Sequence, residues 1–160
     1  MRDHEEFTRL ARMYADTVYR VAYGCLRSPP DAEDVTQNVL LKLYRREEAF
    51  ESDEHVKHWL IRVTVNECRR VFRAPWRRET PLDSLAETLS FETPEHSELF
   101  YAVMGLPKKY RIVLLLYYYA DYSTGEVAGL LRLPPATVRT QLARGREQLK
   151  HLLTEQEDFL

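Results

Sequence analysis

Hydrophobic side chains return every three or four positions through most of this chain, the period of helices with one buried face. From Glu5 to Leu26 the stripe is Phe7, Leu10, Ala11, Tyr14, Val18, Val21, Ala22 and Cys25, which predicts one long amphipathic helix. Ser28-Pro29-Pro30 stops it. Asp31, Glu33 and Asp34 then fall in the first turn of a second helix, where carboxylates meet the positive end of the dipole. Val35, Val39, Leu40, Leu43 and Tyr44 form its buried stripe and leave Asp34, Gln37, Leu41 and Arg45 near an outer face. A polar loop, Glu47 to Asp53, carries one aromatic, Phe50, and a third helix is predicted from Glu54 to about Phe72. Val56, Trp59, Leu60, Val63, Cys68, Val71 and Phe72 give that helix its apolar surface. Arg62, Asn66, Arg69, Arg70 and Arg73 fall three or four apart on another side.

Periodicity lapses from Ala74 to Thr93, which contains Pro75 and Pro81 and is closed by Pro94. That is a linker, with a short helical turn expected around Ser84 to Thr88. Helices are predicted next at Pro94 to Met104 and at Lys108 to Tyr119, and Leu106, Ile112, Val113, Leu115, Leu116 and Tyr119 are expected to pack on the helix pair after them. Ser123 and Glu126 form a capping box that opens a helix with apolar Val127, Ala128, Leu130 and Leu131. Pro134 and Pro135 end it and start another, since proline is welcome in a first helical turn. Along this second of two short helices Val138, Leu142, Gly145, Leu149 and Leu152 turn inward. Thr137, Arg139, Thr140, Gln141, Arg144 and Arg146 are its hydrogen-bonding or cationic side, and the small Ala136 and Ala143 allow close approach to another surface. The expected fold is all-α: two small helical modules, residues 1–73 and 97–160, joined by a flexible linker over 74–96, with a helix-turn-helix in the second.

Composition narrows the function classes. The formal net charge of −2 gives no general basic signal, so a nucleic-acid surface has to come from uneven charge. Glu54 to Thr80 holds seven Lys/Arg against three Asp/Glu, and Arg132 to Lys150 holds five against one, while Pro81 to Pro107 holds five acids and no Lys/Arg. Cys25 and Cys68 form no C-x-x-C pair, which suits a reducing cytoplasm. The opening MRDHEEF shows no secretion signal, and the longest apolar run, Ile112 to Ala120, is too short to cross a bilayer, so a soluble protein without membrane insertion is expected.

A helix-turn-helix lays its second helix in the DNA major groove, although helix pairs of this kind are also common in domains that bind no DNA. Trp59 and Phe50 lie beside the cationic stripe of the third helix, and aromatics with positive charge hold single-stranded nucleic acid. Tyr117, Tyr118, Tyr119 and Tyr122 either offer a stacking platform or divide between helix packing and surface. Asp31, Glu33 and Asp34 need no catalytic explanation in a first helical turn. His55, His58 and Cys68 cannot converge on a metal, because Cys68 lies more than three helical turns beyond His55. No catalytic, cofactor or metal constellation is expected.

Three stretches together carry a family likeness: DAEDVTQNVLLKLYRR, HVKHWLIRVTVNECRRVFR and LPKKYRIVLLLYYYADYSTGEVAGLLRLPPATVRTQLARGREQLKHLL. In that order they resemble a bacterial RNA polymerase sigma factor of the extracytoplasmic-function (ECF) subfamily, over Phe7 to Arg73 and Ser97 to Leu153. The short chain, with no third domain between the modules, also fits that subfamily. The resemblance implies that the first module, region two, docks on the clamp helices of core RNA polymerase through Asp34 and Gln37, with Leu41 beside them. It implies that the third helix and the loop before it open the promoter's minus-ten element. Phe50, Glu51 and Ser52 then lie near a flipped-out base, Asn66 near the non-template strand, and Arg62, Arg69 and Arg70 near phosphates. Trp59 either wedges the duplex or holds the module together.

The second module, region four, is implied to sit near the polymerase flap and to read the minus-thirty-five element with the helix beginning at Pro135. Thr137, Arg139, Thr140 and Arg144 match its DNA-facing positions, with Arg146 on the same side of the helix. Two residues depart from the family pattern. Gln141 stands where arginine is frequent, and glutamine pairs with adenine where arginine favours guanine. Arg132 stands where the turn often has glycine, so it either adopts a glycine-like backbone or adds a phosphate contact. The resemblance also implies an anti-sigma partner that wraps both modules and at times holds the protein at a membrane. A stand-alone helix-turn-helix regulator would explain Ser123 to Lys150 but leave the Arg/Asn stripe and the Phe50 loop without a role. A helical adaptor that binds only protein would leave the arginines merely solvated.

Overall fold

The computed structural model describes residues 3–74 and 94–158. Among them are seven α-helices, one π-helical turn and no strand. Helix α1 spans His4–Leu26, α2 Pro29–Arg45 and α3 Asp53–Phe72; α4 spans Pro94–Met104, α5 Lys108–Leu114, α6 Thr124–Leu131 and α7 Pro135–Asp158. The chain divides into two compact units, Met1–Glu79 and Thr80–Leu160. The helical turn expected at Ser84 to Thr88 lies outside the described residues.

In the first unit α1 packs on both α2 and α3, which also pack on each other. Leu10, Val18, Val21, Val35, Val39, Leu43, Leu60 and Ile61 fill the space between them. Each such aliphatic side chain contributes about 1.5–3 kcal/mol by leaving water. What stops α1 is Arg27, in the left-handed conformation at φ 55°, whose N–H returns to the Tyr23 carbonyl at 2.8 Å. Ser28 instead caps α2, accepting the Asp31 N–H at 3.4 Å, and the two prolines are its first turn. Of the three acids only Asp31 falls in that turn; the helix begins earlier than its carboxylates suggested.

Helix α3 is buried over a wider arc than its apolar stripe predicts, because two helices grip it. Ile61, Thr64, Val65 and Glu67 are inside as well. Thr64 Oγ1 donates to the Leu60 carbonyl at 2.7 Å. The Glu67 carboxylate, 4% exposed, takes the Lys42 ammonium from α2 and stands 3.4 Å from Arg70. Tyr14 ties α1 to the start of α3 by donating to the Asp53 carbonyl at 3.2 Å. Burial, then the Asp53 carboxylate, push its phenol above the ordinary tyrosine range, with Arg9 acting against them.

In the second unit α4, α5 and α6 each pack on α7. Val113, Leu116, Val127, Val138 and Leu142 form the core. Gly145 permits the close crossing of α5 over α7: a Cβ there would sit 3.2 Å from Tyr110 Cβ and from Leu114 Cδ1. The single helix expected from Lys108 to Tyr119 is α up to Leu114 and then a π-turn over Leu115–Tyr119. Its widened ring is closed by the Ala120 N–H on the Leu115 carbonyl at 3.1 Å. The extra residue rotates the positions after it by about 100°. Tyr119, expected in the core, is therefore exposed, and Ala120 and Tyr122 are buried instead.

Candidate nucleic-acid interface

In the first unit the loop before α3 is held by its own side chains. Ser52 caps α3 by accepting the His55 N–H at 3.1 Å, and the Glu51 N–H donates to His55 Nδ1 at 3.0 Å. The Phe50 ring meets His55 at 5.2 Å and Trp59 at 5.7 Å, both edge to face. The Arg46 guanidinium lies 4.3 Å above Phe50 and 5.1 Å from Trp59, and its Nε donates to the Glu48 carbonyl at 3.2 Å. Arg46 was not among the expected site residues; its signal is a cation at the end of α2, directly before an aromatic loop. Cys68 is buried, and His55 Nδ1 serves the loop.

From Trp59, α3 presents Arg62, Asn66 and Arg70 to solvent, with Arg69 half-buried at the edge of the same face. At about 100° per residue these share one quadrant with the aromatic loop at its N-terminal end. Arg70 is partly committed to Glu67, which its NH1 approaches at 3.4 Å from both carboxylate oxygens. On α2, Asp34 and Gln37 are exposed and Leu41 shows 44% of its surface.

In the second unit the capping box forms at α6: Ser123 Oγ accepts the Glu126 N–H at 3.1 Å, and the Ser123 N–H donates to Glu126 Oε1 at 3.0 Å. Helix α6 is ended by Arg132 at φ 57°, ψ 45°, before Pro134 is reached. The Leu133 N–H then returns to the Ala128 carbonyl at 3.0 Å, so Arg132 takes the backbone that glycine usually supplies. Helix α7 starts at Pro135 as expected but is not short: it runs for 24 residues.

With Val138 and Leu142 buried, the six expected contact residues do not form one face. Thr137, Gln141 and Arg144 lie on one shoulder of α7, Arg139 and Arg146 on the other, and Thr140 on the crest between. Thr140 Oγ1 donates to the Ala136 carbonyl at 3.0 Å, which leaves its lone pairs outward. Arg146 is held: its Nε donates to the Tyr118 hydroxyl, and its guanidinium lies 5.5 Å from the Tyr117 ring and 5.4 Å from that of Tyr118. Gln141 is half-buried, with Oε1 sealed from solvent and no partner among the described residues. Between α5 and α7 runs a groove of about 290 Å³, with Lys109 and Tyr110 on one wall and Thr137, Gln141 and Arg144 on the other. Among the described residues no helix is long and apolar enough to cross a membrane, and no three His, Cys, Asp or Glu side chains gather as metal ligands.

Residues 10–78 match the family model of sigma-70 region 2, and residues 96–149 that of sigma-70 region 4. The ECF RNA polymerase sigma factor SigW of Bacillus subtilis is 26% identical over 175 residues, covering 96% of this chain and 91% of the relative. The ECF factor SigM of Mycobacterium tuberculosis is 30% identical over 156 residues, covering 94% and 79%. The sigma factor RpoE of Bartonella quintana, solved with the anti-sigma factor NepR, shares the fold at a TM-score of 0.70 and 19% identity, over 94% of this chain and 98% of that one. CnrH, solved with the cytosolic domain of CnrY, does so at 0.65 and 22%, over 96% and 90%. With both region models in order along one chain, and a 30% identical relative covered over most of its length, this protein belongs to the ECF family of RNA polymerase sigma factors, which direct transcription initiation.

Proposed function

We propose that this sigma factor divides promoter recognition between its two units. The first, residues 1–73, binds the polymerase clamp helices through the exposed Asp34, Gln37 and Leu41 of α2 and melts the minus-ten element with α3. Phe50, Glu51 and Ser52 border the flipped base, Trp59 stacks at the melted edge, Asn66 meets the non-template strand, and Arg62, Arg69 and Arg70 neutralise its phosphates. The second, residues 97–160, lies near the flap and reads the minus-thirty-five duplex with Thr137, Arg139, Thr140, Gln141, Arg144 and Arg146. The linker over 74–96 joins them. The observation that carries this reading is the quadrant of α3 where a self-braced aromatic loop adjoins exposed Arg62 and Asn66. Unstacked bases need both parts: a π surface for the base and a cationic or amide face for the strand.

Each task is binding, melting or positioning, so the protein works as an initiation factor rather than an enzyme and needs no cofactor or metal. Its place of action is the cytoplasm, beside polymerase and promoter. An anti-sigma partner, as RpoE has in NepR, would hold it inactive by covering these surfaces.

Permanganate footprinting of promoter DNA with core polymerase and the full chain tests the division of labour. Asn66→Ala is expected to reduce strand opening while dependence on the upstream element persists, and Arg139→Ala to do the reverse. The opposite pattern, or opening unaffected by both, would overturn it.

A further inference from the structure

The groove between α5 and α7 has no role so far, and one of its walls lies outside the helix-turn-helix. Among the described residues no carboxylate lines it. Lys109 and Arg144 are exposed at its rim, and neither pairs with a described carboxylate. The Tyr110 ring, 5.1 Å from the Lys109 ammonium, holds that cation beside the opening and so reduces the freedom it would lose on binding. Inside, Gln141 Oε1 is buried with no donor among the described residues. A buried acceptor without a donor costs about 1–3 kcal/mol, which favours this amide in the opposite orientation. Its terminal bond rotates, and turning it over presents the NH₂ as a donor instead.

Two cations and an amide donor around one opening suit an anionic oxygen. A helix lying in a major groove has a sugar-phosphate backbone passing each of its shoulders, and Thr137, Gln141 and Arg144 make up one shoulder of α7. We propose that the groove seats a single backbone phosphate of the upstream promoter duplex, clamped between Lys109 and Arg144 and bonded by the Gln141 amide. Lys109 is thus a DNA-binding residue, and Gln141 contacts backbone rather than a base. The inference rests on the reading of α7 as the duplex-binding helix.

The test uses holoenzyme assembled from core polymerase and the full chain, on a promoter duplex selected by that holoenzyme, with binding measured from about 0.05 to about 0.4 M salt. Lys109→Ala is expected to reduce the slope of log K against log salt by about 0.9 and to weaken binding about five- to tenfold at about 0.1 M salt. Lys109→Arg should retain both, and Lys108→Ala, which removes an adjacent exposed charge outside the groove, should leave the slope unchanged. An unchanged slope in Lys109→Ala, or an equal fall in Lys108→Ala, overturns the proposal. Arg144→Ala separates the two levels: if it weakens binding while Lys109→Ala does not, only the phosphate seat fails; if neither matters, the duplex-binding role of α7 fails with it. Gln141→Ala should weaken binding alike on promoters altered in the upstream element, and a base-selective loss would contradict the backbone assignment.

Discussion

Replacing Arg46 with alanine removes the plate on which Phe50 rests. Only 16% of the Arg46 side chain is exposed, and its guanidinium faces two rings at 4.3 and 5.1 Å. Each cation–π contact is worth about 0.5–1 kcal/mol when exposed and about 2 when desolvated. The Nε–Glu48 carbonyl bond adds about 1 kcal/mol. The ion pair to Glu48 adds nothing countable, since that carboxylate is 86% exposed. These contributions share one side chain and do not sum, so about 2 kcal/mol of loop order is at stake. At about 1.4 kcal/mol per decade, the population of ordered loops relative to loosened ones falls about thirtyfold. The Glu51 amide, which donates to His55 Nδ1, reports loop order directly by hydrogen exchange. Promoter opening by reconstituted polymerase is the functional readout. Arg46→Ala is expected to accelerate exchange at Glu51 and slow opening by up to the same factor, with little change in the melting temperature of the three-helix core. Accelerated exchange with undiminished opening would show that the braced loop is not used to capture a base. Unchanged exchange would show that the stacking energy is wrong.

Three more outcomes rest on the backbone, the packing and a raised tyrosine pKa. Arg132→Gly relieves a left-handed conformation costing a non-glycine residue about 1–2 kcal/mol, partly offset by about 0.4–1 kcal/mol of added unfolded-state freedom, so thermal unfolding should move upward. A fall in melting temperature would refute the strain. Gly145→Val places branched atoms against Tyr110 and Leu114 and should destabilise the second unit by about 1–3 kcal/mol, read by denaturant titration; a neutral result would mean the α5–α7 crossing is slack. Because the Tyr14 phenol is raised in the folded protein, its contribution is present at neutral pH and lost as pH climbs past about 10. Tyr14→Phe should therefore reduce alkaline sensitivity, and an identical alkaline limb in both proteins would refute this.

The starts of α6 and α7 were legible in the sequence because their causes are local: Ser123 and Glu126 bond within three residues, and Pro135 carries its helical φ with it. The Ser28 cap of α2 is just as local, but beside two prolines it reads as the end of α1. Helix ends were less legible. Arg27 and Arg132 stop their helices in a conformation that an arginine does not advertise, so the nearby prolines took the credit. The π-turn was hidden because Leu115 to Tyr119 reads equally well as helix, and the phase shift that exposes Tyr119 arises only when the turn packs. Glu67 reads as a surface charge until α2 brings Lys42 across to it. At the interface, the residue types and the family likeness came from short motifs, and the family holds. The division of α7 into two shoulders follows from the inward positions Val138 and Leu142, which the helical period already marks, whereas the Lys109 wall comes from a helix that folds back over Gly145, a tertiary fact that a linear pattern does not contain.

The most direct test of the account is run-off transcription from a promoter library by core polymerase with and without this chain, paired with duplex binding by the chain alone. The account predicts defined start sites only when the chain is present, and far weaker binding by the free chain than by holoenzyme, because its near-neutral charge limits unspecific attraction to DNA. Transcripts that do not depend on the chain, or duplex binding by the free chain as tight as that of holoenzyme, would contradict it.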